Sequence, residues 1–285
     1  MRASFMAAVL VVALPAAMAA QTCEPAKDSH EADLFAHFSV PLAFSVAQGP
    51  RIARPGTVTI SLEGTYLPDV DDETATPTTC RPGKGPENVN LLFGFVRPRL
   101  AFALANGTYL EVSWVPPITI NGVKPNLWGF ALGRTVPIGK STLLTGRAHA
   151  TIGSIYAPFV CSESDLDDPN NADCFGGQVS NDRYQPNIFG AELALGWNWG
   201  GGKFRPYLGG GYNILHPRFQ VDHTDNTGFR DRQKVEVNLS RWALMGGATW
   251  NLSQAFSVSG EVYTVPKDAV TGRVVLGYSI GKWAH

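Results

Sequence analysis

From Gly56 onward the chain alternates large apolar residues with small or charged ones at a period of two. In Thr57–Tyr66, Val58, Ile60, Leu62 and Tyr66 share one face, while Thr57, Thr59, Ser61, Glu63 and Thr65 share the other. The same division runs through Ile188–Trp199, Phe204–Ile214 and Val274–Ile280. A period of two gives a strand two unlike faces, and a helix does not produce it. About ten such segments can be marked, at 56–67, 91–104, 108–116, 123–136, 142–158, 186–199, 203–215, 234–250, 254–265 and 270–283. Tight connections such as Ala105-Asn106-Gly107 and Gly200-Gly201-Gly202 alternate with mostly long polar ones, at 68–90, 159–185 and 216–233. That alternation is the layout of a transmembrane barrel, whose two ends meet different compartments.

Composition narrows the choice. With 44% hydrophobic residues and 16% charged ones, the chain can bury or embed a large apolar surface, so disorder is excluded. No apolar run after the first twenty residues reaches the length of a spanning helix, about 18 or more. A net charge of -1 without a basic block excludes nucleic acid as a partner. The large aliphatic and aromatic set must face hydrocarbon, because nothing else in the chain could cover it. Trp114, Trp128, Trp197, Trp199, Trp242, Trp250 and Trp283 fall near segment ends, where interfacial girdles form. A soluble sandwich would have to bury its apolar face and expose the charged one. A soluble ligand-carrying barrel has the opposite polarity, with an apolar interior. The expected fold is therefore all-β, an antiparallel up-and-down transmembrane β-barrel of about ten strands.

The same face assignment puts Glu63, Arg97, Arg99, Glu111, Arg147, His149, Glu192, Arg205, Arg241, Glu261 and Arg273 inside. Ions in a narrow interior must be paired, so these residues are expected to form a charge network that fills and stiffens the lumen. The alternative is an anion-preferring passage drawn by the arginine surplus. Parity changes near Phe95-Val96 and Ser240-Arg241 predict bulges there.

Residues 1–20 have the layout of a secretory signal: Arg2, an apolar stretch Phe5–Leu14, and small residues up to Ala20. Export permits disulfides. Cys161 and Cys174 enclose a short polar loop and are expected to pair, which leaves Cys23 for Cys80. Residues 21–55 stay open between a lumen plug, an extra wall strand on Phe38, Val40, Leu42, Phe44 and Val46, and a periplasmic appendage. If they plug the lumen, Glu24, Asp28, Glu31 and Asp33 could offset the arginine surplus. The barrel itself is expected over 56–285.

Strand pattern, loop alternation and a closing strand Thr271–Trp283 make the chain similar to the bacterial outer-membrane β-barrel superfamily. That resemblance implies the bacterial outer membrane as location, lipid and the barrel-assembly machinery as partners, and a monomer. Loop acids Asp165, Asp167, Asp168 and Asp173 lack the glycine of a calcium loop, and no cysteine–histidine cluster suits zinc, so neither metal nor cofactor is expected. Hydrolase and phosphate-loop motifs are missing. The expected function is non-enzymatic, structural or surface-interacting through exterior loops. The alternatives are a passive channel gated by the N-terminal segment, and a rim hydrolase using His216 or His223 with Asp222 or Asp225.

Overall fold

The computed structural model describes residues 22–281, so the signal segment and Trp283 lie outside the described residues. Its wall comprises β1 (Val58–Tyr66), β2 (Gly94–Ala103), β3 (Thr108–Val115), β4 (Lys124–Pro137) and β5 (Thr142–Ala157). It continues through β6 (Ile188–Trp197), β7 (Phe204–Leu215), β8 (Leu239–Asn251), β9 (Phe256–Val265) and β10 (Ala269–Ile280). Each strand pairs antiparallel with the next. β10 then returns to β1, from Ile280↔Val58 to Arg273↔Thr65. Closure removes both sheet edges, which hydrocarbon requires because it offers backbone N–H and C=O groups no partner.

The two faces follow the alternation. Leu193 is 62% exposed whereas its neighbour Glu192 is 3% exposed. Ile60, Leu62, Leu208, Val274 and Leu276 also point outward. Trp114 stacks on Trp128 at one end of the apolar band, and Trp199 packs on Phe204 at the other. The segment expected over 234–250 divides into a short loop strand, Lys234–Glu236, and β8. No bulge interrupts the register of β1 on β2 or of β7 on β8. What looked like changes of parity are apolar residues pointing inward: Phe95 from β2, and Leu239, Ala243 and Met245 from β8. The upper lumen is apolar because a helix is packed into it.

That helix is α1 (His30–Leu42). Ser29 caps its N-terminus by accepting from the Ala32 amide, and Glu31 and Asp33 favour the positive end of its dipole. Pro41 brings it to a stop within a residue. Ala32, Phe35, Ala36, Ser39 and Val40 are buried at helical spacing. Residues 43–52 continue down the lumen without regular secondary structure, with Pro50 against Gly196, Gln48 near Gly277 and Arg51 on Thr59. Residues 22–55 therefore form no wall strand. Residue 22 lies at the long-loop end, the exterior in barrels of this class, and the segment from there descends through the lumen. It enters β1 at the short-turn end.

Long connections build a cap over the exterior end. The disulfide Cys23–Cys80 ties the segment before α1 to loop 67–93, and Thr22–Cys23 pairs in parallel with Lys234-Val235. The second disulfide, Cys161–Cys174, sits in a small buried cluster with Val160 and Val221. Asp182 pins two loops together by accepting from the Val160 amide at 2.8 Å and the Asp222 amide at 2.8 Å.

Candidate functional site

Midway down the lumen the inward charges form a belt. Register places Glu63 beside Arg97, Glu192 beside Arg147, and Glu261 beside Arg273. Glu63 takes Arg97 at 3.2 Å, the Arg99 guanidinium, and Arg273 Nε at 3.8 Å. Glu111 joins Arg99 at 2.7 Å to Arg147 at 3.3 Å. Glu192 takes Arg147 at 2.9 Å and lies 3.5 Å from His149 Nε2. Glu261 takes Arg273 at 2.9 Å. Four arginines thus meet four glutamates in a nearly continuous chain of pairs. Ions taken out of water are tolerable only when paired in this way; Arg97 Nε, Arg147 Nε and Arg273 Nε make no hydrogen bond of their own.

The N-terminal segment supplies the rest of the partners. Arg273 donates to the carbonyls of Val40 (2.9 Å) and Ala43 (3.0 Å), and Arg147 to that of Phe44 (2.6 Å). Arg99 donates to the Ser45 carbonyl at 2.9 Å. The Phe44 ring is fully buried, with the guanidinium carbons of Arg99, Arg147 and Arg97 at 4.5, 4.7 and 5.4 Å from its centroid. Cations over an aromatic face are attracted by its quadrupole. Glu261 accepts from the Ser45 hydroxyl, the Ala47 amide at 3.0 Å and the Tyr207 hydroxyl at 2.9 Å. Belt and segment form one polar network across the lumen.

Two glycines make this seat possible. A Cβ on Gly129 would fall 2.3 Å from Ser113 Oγ and 2.9 Å from the Phe44 ring. One on Gly196 would fall 2.7 Å from Pro50. Gly129→Val is therefore expected to cost about 1–3 kcal/mol by overpacking, read in a urea refolding titration. A wild-type midpoint would mean that Phe44 is not seated there.

Not every inward charge belongs to the belt. Arg241, at the exterior start of β8, pairs with Asp268 at 2.8 Å. Arg205, at the opposite end of β7, donates to Asn251 Oδ1 at 3.3 Å. Parity puts both inside, but it does not fix height along the barrel. Glu31 likewise does not offset arginine charge. It accepts from the amides of Thr78, Thr79 and Cys80 at 3.1, 2.7 and 2.8 Å. Burial pushes its carboxyl up, but the amide donors outweigh burial and hold it below its ordinary value. Its contribution to the cap is full above the ordinary carboxylate range and is lost as pH falls through the lowered value.

Phe44, Ser45 and Tyr207 complete the network; the sequence marks Phe44 only as part of a possible extra wall strand, and Ser45 and Tyr207 are not among the expected site residues. At the rim, both ring nitrogens of His223 face backbone carbonyls, Gln178 O and Asp173 O, each at 3.0 Å. Asp222 pairs with Arg230, and Asp225 accepts from the Thr227 and Phe229 amides of its own turn. The histidine–acid pair that a rim hydrolase would use is not assembled among the described residues.

No family model matches the chain, and no curated protein matches it. Among solved structures it is similar to Ail, the attachment invasion locus protein of Yersinia pestis. That match has 11% identity, covers 79% of this chain and 99% of that one, and has a TM-score of 0.32. Omp33 of Acinetobacter baumannii is similar at 9% identity over 82% of this chain and 100% of that one, TM-score 0.31. Neisserial surface protein A is similar at 8% identity over 79% and 95%, TM-score 0.30. The assignment rests on the wall itself: a closed antiparallel sheet, apolar outside and charged inside, with short turns at one end and long loops at the other. On that architecture the chain is a closed ten-stranded antiparallel β-barrel with the apolar outer face of a transmembrane barrel.

Proposed function

We propose that this barrel is a monomeric, closed, non-enzymatic surface protein that acts through its exterior cap. The observation carrying this reading is the belt: its arginines are consumed by glutamates, by the Phe44 ring and by backbone carbonyls of the N-terminal segment. A solute crossing the lumen would have to displace these partners and leave buried guanidinium groups unpaired. The cap, by contrast, is cross-linked by two disulfides and presents Phe175, Val179 and Phe229 outward. The assembly machinery is the expected partner for insertion. A passive channel is the second reading, and it would require the N-terminal segment to leave the lumen.

The test exchanges Ser162–Asp173 for a Gly/Ser loop of equal length, with barrel amounts matched by heat-modifiable mobility. Retention of expressing cells on immobilised glycans and on neighbouring cells is then compared with solute entry into protein-loaded liposomes. Lost retention with impermeable liposomes is the expected result. Unchanged retention, or liposomes that admit sugars through the wild-type chain, would overturn the surface reading.

A further inference from the structure

The wall has one incomplete seam. The β2–β3 ladder runs from Ala103↔Tyr109 only as far as Arg99↔Ser113. On either side pairing continues toward the exterior, β1–β2 to Tyr66↔Gly94 and β3–β4 to Val115↔Leu127. Sequence explains the stop. Leu104 donates to the Thr108 carbonyl at 2.8 Å, so the even-numbered residues of β2 carry the bonds to β3. The next two bonded pairs in that register would be Pro98 with Trp114 and Val96 with Pro116. Each has a proline where a donor is needed, and Pro117 follows. Above the seam, Asn121 Nδ2 reaches the Leu91 carbonyl at 3.4 Å. Pairing is therefore absent between Phe95–Arg97 and Val115–Pro117, which leaves an unpaired window in the exterior half of the apolar band.

Behind the window is a cavity of about 120 Å³, lined almost wholly by apolar side chains. Phe95 and Val115, from the two strands of the seam, line it together with Phe35 and Phe38 of α1 and Leu127 of β4. Its charged neighbours sit beside opposite charges or loop amides, although Arg81 Nη1 makes no hydrogen bond. Glu31 accepts loop amides, and Arg81 lies 3.7 Å from Glu87 and 3.6 Å from Asp231. A lining surface that is almost wholly apolar favours a neutral ligand. An apolar cavity of about 150 Å³ holds one benzene, so this volume suits a small hydrocarbon-like molecule of about that size. The belt lies below, which makes the cavity a dead end rather than a passage.

The geometry points to a binding site for a small neutral apolar molecule that enters sideways from the outer leaflet through the β2–β3 window. Hydrocarbon-like solutes concentrate in lipid, and a lateral opening admits them without crossing the polar cap. This inference does not depend on the surface reading, because a closed lumen and a side pocket are separate features.

The test uses the full mature chain refolded in lipid nanodiscs, with fluorobenzene as probe. Exchange is read by fluorine NMR and site occupancy by the methyl signals of Val115 and Leu127. Saturable shifts of both methyls are expected, with uptake beyond that of empty nanodiscs. Leu127→Trp, which fills the cavity, should abolish the excess uptake. Because that variant can fail to fold, a second one, Pro98→Thr/Pro116→Thr, restores the missing donors and closes the seam. It should slow exchange at least tenfold while leaving saturation reachable. Unsaturable uptake equal to the empty bilayer would overturn the site. Saturable binding with unchanged exchange in the double variant would overturn the lateral route.

Discussion

Glu63→Ala is expected to destabilise the barrel by about 3–5 kcal/mol, the cost of removing one partner from buried ion pairs. Glu63 is fully buried and is met by three arginines, Arg97, Arg99 and Arg273. Arg99 and Arg273 keep a second carboxylate, in Glu111 and Glu261. Arg97 has only Glu63 as an ion-pair partner among the described residues, apart from its contacts with the Phe44 and Phe95 rings. The damage should therefore concentrate there, and adding Arg97→Met to Glu63→Ala should recover part of the loss. Urea titration in lipid vesicles measures both. A loss below about 1 kcal/mol for the single variant would mean that water already reaches the belt.

Leu193→Arg tests the outer face. Its side chain projects from β6 on the face opposite Glu192, and Leu193 is 62% exposed in the protein alone. A guanidinium placed against hydrocarbon near the bilayer midplane should cost about 2–4 kcal/mol, falling toward zero near the interfaces. The same change at an inward small position would act through packing instead. Stability equal to wild type in vesicles, together with normal assembly, would reverse the assignment of faces.

Much of this architecture is legible in the sequence because a strand with two different surroundings must alternate. Ile60 and Leu62 against Ser61 and Glu63 give both the strand and its orientation. The belt is legible as a set of inward charges, since those same positions cannot face lipid. What parity cannot supply is height, so Arg205 and Arg241 read as belt members although they sit at opposite ends of the lumen. The N-terminal segment is the harder case. Phe38, Val40, Leu42, Phe44 and Val46 alternate as a strand would, yet the first three belong to a helix and the last two to an irregular, turn-containing run. The helical signals lie just upstream, in the Ser29 cap, the acidic first turn and the spacing of Ala32, Phe35, Ala36 and Val40. Locally, Phe44 reads only as one more member of that alternation. Its role depends on three arginines brought from β2 and β5, and on the absent side chain of Gly129. The unpaired seam shows the reverse situation. Pro98, Pro116 and Pro117 are plain in the sequence, but their opposition becomes visible only once the β2–β3 register is known.

Planar-bilayer conductance of the refolded mature chain, under conditions that keep both disulfides oxidised, is the most direct measurement of a lumen closed by residues 22–55. Insertion is verified first by heat-modifiable mobility, and current is recorded at both polarities. A silent barrel is the predicted result, with discrete openings appearing only when the segment is removed. Steady openings from the intact chain would contradict the sealed belt and make the protein a channel.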